Sequence, residues 1–180
     1  MIMNRYIAFL RAVNVGGHIV KMDALRALFE SLGFANVETF IASGNVLFES
    51  TSKDATALEK KIESKLRESL GYEVATFIRT DAELKAIADY RPFPQSQLDA
   101  AVAFNIAFFK ESPEADSKKR VMALKTDIDD FHIHGRELYW LCQKKQSESK
   151  FSNAVLEKTL GKPSTLRGAE TIKKIALKYP

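Results

Sequence analysis

The sequence predicts an α+β fold built by tandem duplication: two copies of a β-α-β-β-α-β unit, each with one trailing helix, packed together. Three observations point to it. Along the first 90 residues the spacing of apolar positions switches between two and about four in a regular order. Short segments of the first half return in the second half in the same order. A proline-bearing stretch, RPFPQSQLDA (91–100), lies between the halves.

Taken in order, YIAFLRA reads as a strand with both faces apolar, Ile7 and Phe9 on one and Tyr6, Ala8 and Leu10 on the other. A strand of this kind needs cover on two sides, and the second half is the expected cover for one of them. MDALRALFESLG places Met22, Leu25, Leu28 and Phe29 at helical spacing and stops at Gly33. VETFIA and NVLFES flank Ser43-Gly44, a hairpin signal. In DATALEKKIESKLRESLG, Leu58, Ile62 and Leu66 recur every four residues, and Gly71 ends the helix. YEVATFIRT is the fourth strand, and DAELKAIADY a short helix before Pro92 and Pro94. This is the split βαβ order of ferredoxin-like folds plus one helix.

The echoes are YIAFLR (6–11) with NIAFFK (105–110), GNVLF (44–48) with GRELY (135–139), and IADYRP (87–92) with IALKYP (175–180). Together they predict a first subdomain over 1–90, a linker over 91–99 and a second subdomain over 100–180.

The topology gathers a candidate site. With strand order 4-1-3-2, the loop after the first strand and the hairpin between the second and third lie at one end of the sheet. Arg11, Asn14, Gly16, Gly17 and Lys21 therefore converge with Ser43, Gly44 and Asn45. Glycines let backbone N–H groups approach a ligand, and a helix start adds partial positive charge. Arg11 and Lys21 supply full charges, and Asn and Ser side chains can orient an anion. The expected ligand is a small molecule bearing phosphate or carboxylate. The same glycines equally serve a turn that needs positive φ, and Asn14 equally serves as a loop brace. The loop has neither the GxGxxG nor the GxxxxGK[ST] spacing, so no dinucleotide or Walker-type chemistry is indicated.

Composition bounds the rest. At 46% hydrophobic and 28% charged, the chain has the make-up of a globular protein, without a secretory leader or a spanning segment. A single cysteine, Cys142, excludes an intrachain disulfide and suggests a reducing, cytoplasmic setting. His132 and His134 alternate on one strand face, but the further ligands a zinc site needs are missing, so neither metal nor cofactor is expected. Cys142 has no visible base partner and no paired carboxylates stand out, so the sequence names no catalytic residue for what is either a small binding domain or an enzyme. Asp127, Asp129 and Asp130 read as a solvated acidic turn.

Net charge is +4, and the excess lies in residues 100–180, with 15 Lys/Arg against 10 Asp/Glu. That basic half keeps a nucleic-acid-binding module as an alternative. The base-stacking positions such folds use fall here on Phe9 and Phe48, which sit in apolar company and read as core. A structural or interaction protein, whose loop residues only hold turns, is the other alternative.

LRAVNVGGHIVKM, followed by LRALFESLGF and VETFIASGNVLFES, resembles the signature of a bacterial family, domain of unknown function 1697. Its pattern runs L-R-G-I-N-V-G-G, then K-M, L-G-F and S-G-N-V. The matching positions are Arg11, Asn14, Val15, Gly16, Gly17, Lys21, Met22, Ser43, Gly44 and Asn45, with Thr165, Arg167 and Thr171 as secondary candidates in SKFSNAVLEKTLGKPSTLRGAETI. The resemblance implies a bacterial cytosolic α+β protein and supplies no mechanism. Two departures stand out: Ala12 replaces the family glycine, and Gly168-Ala169-Glu170 replaces the family's Asn-Trp-Asn.

Overall fold

In a computed structural model, which describes residues 2–14, 17–41 and 44–179, the first apolar run forms β1 (Asn4–Leu10). Tyr6, Ala8 and Leu10 point to one face and Ile7 and Phe9 to the other, and all five are buried. β1 is paired antiparallel on both sides, with β3 (Asn45–Ser50) and with β4 (Thr76–Thr80). β2 (Ala35–Thr39) closes the sheet beyond β3, giving the order β2-β3-β1-β4. This is the expected split βαβ topology.

Helices α1 (Met22–Glu30) and α2 (Ala55–Leu70) cover one face of that sheet. Leu25, Phe29, Leu58, Ile62 and Leu66 pack with Tyr6, Ala8, Val46, Phe48 and Ile78. Each valine, leucine, isoleucine or phenylalanine among them contributes about 1.5–3 kcal/mol on removal from water. At the start of α2 the Asp54 carboxylate accepts the Ala57 N–H at 3.0 Å, and Gly71 ends the helix in the left-handed region. The outer edge of β4 is closed by α2. Thr76 N–H and Ile78 N–H donate to the carboxylates of Glu63 and Glu59 at 3.1 and 3.0 Å. Edge amides with acceptors are poor templates for foreign strands, and this explains a buried glutamate at position 59.

After α3 (Asp81–Asp89), the proline-bearing stretch contains a short helix, α4 (Gln95–Ala100). The second copy follows: β5 (Ala103–Phe108), α5 (Ala115–Met122), β6 (Asp129–His134), β7 (Glu137–Cys142), α6 (Asn153–Leu160), β8 (Thr165–Gly168) and α7 (Ala169–Ala176). Its sheet order, β6-β7-β5-β8, repeats the first, with β5 in the place of β1. The fold is a duplicated ferredoxin-like α+β arrangement. Two units result, residues 1–87 with 175–180, and residues 88–174. The tail is tied to the first unit by an ion pair from Lys178 to Glu38 and by Arg5 over the Tyr179 ring. Among the described residues no helix is long and apolar enough to cross a membrane.

Three sequence readings change. The GNVLF/GRELY echo is one residue out of register. Pairing puts Phe48 opposite Tyr6 and Trp140 opposite Asn105, so Trp140, not Tyr139, matches Phe48. A slip of one residue sends a strand side chain to the other face. The fourth strand starts at Thr76 rather than Tyr72, because residues 72–75 form a connection. Asp129 is not solvated: it is 2% exposed and accepts from Trp140 Nε1, Thr126 Oγ1 and Ser149 Oγ, each at 2.8 Å.

Candidate functional site

Two backbone hydrogen bonds assemble the loop end of the first sheet. Leu10 N–H donates to Gly44 O at 2.8 Å, and Arg11 N–H donates to Ala75 O at 2.9 Å. Arg11, Gly44 and Ala75, on three different connections, are thereby held at one end. Arg11, Gly44 and Asn45 meet there, Asn14, Gly17 and Lys21 lie on the connection that follows Arg11, and Gly16 and Ser43 lie outside the described residues.

The two asparagines act on the loops themselves. Asn14 Oδ1 accepts the Val20 N–H at 2.7 Å. Buried Asn45 donates from Nδ2 to Phe40 O and Ile41 O, both at 3.1 Å. A third brace was not legible as such in the sequence: Tyr72 Oη donates to Val13 O at 2.6 Å, and the His18 ring lies 4.5 Å from the Tyr72 ring. The backbone is bent hard at this end. Gly17 and Gly44 have φ of +81° and +98°, and two residues with a Cβ, Ala12 (+54°) and Ile41 (+51°), share the left-handed region. For a β-branched residue that is a costly conformation.

Lys21 stands at the start of α1, exposed, and no side chain caps the helix there. By contrast α2 and α6 are capped by Asp54 and Ser152. Among the described residues no side chain caps the start of α1, which stands next to a lysine at an end tied by three braces. Such an arrangement can receive an anion.

The secondary candidates belong to the second unit. Arg167 donates from Nη1 to Thr165 Oγ1 at 2.8 Å and to Leu166 O at 2.9 Å, and burial lowers its guanidinium to about 10. Thr171 lies on α7, beside Gly168. The first copy has a counterpart that sequence reading missed. Arg79 faces Ile7 as Arg167 faces Ile106, is 1% exposed, and donates to its own neighbour's carbonyl, Ile78 O, at 2.9 Å. Aligning FIRT with TLRG would have found it.

Other chemistry falls into place. Among the described residues no group of three His, Cys, Asp or Glu is placed to hold a metal ion. His132 is hydrogen-bonded to Tyr90, Nε2 to Oη at 2.8 Å, and His134 stacks on the same ring at 4.2 Å. Cys142 is buried, which raises its thiol pKa and keeps the nucleophilic thiolate scarce. Phe9 and Phe48 are both 0% exposed and cannot stack on bases.

A solved structure with the same fold is that of the conserved bacterial protein SP0830 from Streptococcus pneumoniae, 23% identical, covering 98% of each chain with a TM-score of 0.79. No curated protein matches the sequence. The family described as "Protein of unknown function (DUF1697)" matches residues 3–139, a span that includes the whole loop end but stops short of Thr165, Arg167 and Thr171. The chain belongs to that family.

Proposed function

We propose that this protein binds a small phosphate- or carboxylate-bearing molecule at the loop end of the first sheet, as a cytoplasmic binding protein or enzyme. The observation that carries the reading is the bare start of α1, with Lys21 beside amides that no side chain caps, in contrast to capped α2. Arg11 and Lys21 are the charged groups of the site, the α1 amides its neutral donors, and Gly17 and Gly44 its turn formers. Asn14 and Asn45 act by fixing the loops. Gly16 and Ser43 complete the set by their place in the sequence.

A melting-temperature screen against phosphorylated metabolites and small carboxylates tests this. A ligand at 100 times its Kd adds about 2.7 kcal/mol, a rise of roughly 5–10 °C for a chain of this size. Lys21→Ala removes an exposed side chain, so the unliganded protein should melt within about 1 °C of wild type. It should also lose the ligand-induced rise, as should Arg11→Ala. If both variants melt low and no compound raises wild type, these residues only hold loops. Steeply salt-dependent binding to RNA or DNA, with no response to small anions, would favour the basic second half as a nucleic-acid surface.

A further inference from the structure

The duplication lets the same place be compared twice within one chain. In the first copy, Gly71 ends α2 and the next residue, Tyr72, folds its ring under the β1–α1 loop, where it bonds Val13 and meets His18. In the second copy, Gly161 ends α6 in the same left-handed conformation, and the next residue is Lys162. The flanking stitches are repeated as well: Phe109 N–H donates to Arg136 O at 2.9 Å, as Leu10 N–H does to Gly44 O. What differs is the filling. Where the first copy has an aromatic ring, the second has an open cleft of about 360 Å³ between the β5–α5 loop and the α6–β8 loop. That is within the size range of small-molecule sites.

The walls define the occupant. Pro113, Leu160 and Pro163 offer apolar surface, and Lys110, Arg120 and Lys162 offer positive charge. Arg120 is steadied by a hydrogen bond from Nη2 to Ser117 Oγ at 3.1 Å, and Lys162 lies 3.8 Å from Glu111. Helix α5, like α1, starts without a side-chain cap. Two carboxylates, Glu111 and Glu114, share the rim with the three cations, so the balance suits one negative charge rather than a polyphosphate. We infer that this cleft binds a small aromatic carboxylate, its ring taking the place Tyr72 fills in the first copy and its carboxylate meeting Arg120 and Lys162. This site is separate from the loop end of the first unit and stands or falls without it.

The test uses the full chain, labelled with ¹⁵N, and phenylacetate as probe. A ligand this small should bind with a Kd of about 1 mM, moving the amide signals of residues 109–120 and 160–164 in a saturable way. Acetate, which lacks the ring, and phenylacetamide, which lacks the charge, should each bind about tenfold more weakly. Arg120→Gln should weaken phenylacetate about tenfold, Glu111→Gln should strengthen it, and Lys162→Tyr should abolish binding by filling the cleft. Unmoved signals elsewhere show that each variant is folded. Arg11→Ala and Lys21→Ala should leave the affinity unchanged, which separates this site from the first. Shifts that fail to saturate, equal binding of phenylacetamide, or full affinity in both Lys162→Tyr and Arg120→Gln would overturn the inference.

Discussion

Replacing Ala12 with glycine should make this protein more stable, although it deletes a methyl group. Ala12 has φ of +54° and is exposed, so its Cβ contributes little packing while holding the backbone in a region L-residues avoid. That conformation costs about 1–2 kcal/mol for a residue with a Cβ. Glycine removes this cost but makes the unfolded chain more flexible, which returns about 0.4–1 kcal/mol. The balance is a gain of roughly 0.5–1 kcal/mol, or about 1–4 °C in Tm for a chain of this size. Urea denaturation gives the measurement, a higher midpoint at an unchanged slope. The reciprocal change, Gly17→Ala, should cost about 1 kcal/mol: φ there is +81°, and an added Cβ meets nothing within 4 Å, so only the backbone resists. A midpoint that stays put or falls in Ala12→Gly would refute the claim of strain.

Three further outcomes follow from Asp129 and His132 in the second unit. Asp129→Ala should cost about 3–5 kcal/mol in urea denaturation, because Trp140 Nε1, Thr126 Oγ1 and Ser149 Oγ all lose their acceptor. Burial alone would raise the Asp129 carboxyl pKa, but hydrogen bonds from Trp140, Thr126 and Ser149 leave it below its ordinary value. Its stabilisation is therefore complete above about pH 4 and lost as pH falls through the lower folded value, a loss that Asp129→Asn should not show. Burial, with a contribution from His134, lowers the His132 pKa, so the folded state favours the neutral ring that Tyr90 hydrogen-bonds. Wild type should lose Tm as pH drops below about 6.5, the unfolded value, and His132→Gln should flatten that decline; equal slopes would show that the folded ring titrates normally.

The fold was legible because its evidence is periodic and local. Leu58, Ile62 and Leu66 announce a helix face, and Gly71 its end, within one window. The strand order followed from the order of elements alone. What was hidden depends on partners far along the chain. Asp129 looks solvated among acidic neighbours until β7 brings Trp140 across it and Ser149 closes over it. Tyr72 has strand propensity, yet its hydroxyl is claimed by Val13, 59 residues earlier. At the candidate site the sequence named Asn14 and Asn45 but could not say that they turn to the backbone of their own loops. An amide side chain serves a ligand or a loop equally well.

The two copies also show which features the fold needs and which are free to differ. The edge of each sheet is closed from the neighbouring helix at the same point, the Thr76 N–H by Glu63 and the Ser164 N–H by Glu157, and each second helix ends on a left-handed glycine. Each inner strand is stitched to its hairpin by the same amide. These shared features all govern register and edge protection. The divergence is concentrated at the loop ends. One copy has a β1–α1 connection with Ala12 and Gly17 at positive φ, propped by Tyr72; the other has a short loop with Pro113 over an open, positively charged cleft. Both first helices, α1 and α5, begin without a side-chain cap, whereas both second helices are capped. A fold that needed only stability would gain about 1 kcal/mol by capping each bare start with Ser, Thr, Asp or Asn. The same two starts, surrounded by different side chains, are the ends at which the two proposed sites lie, and the variants described above decide between ligand binding and a structural role.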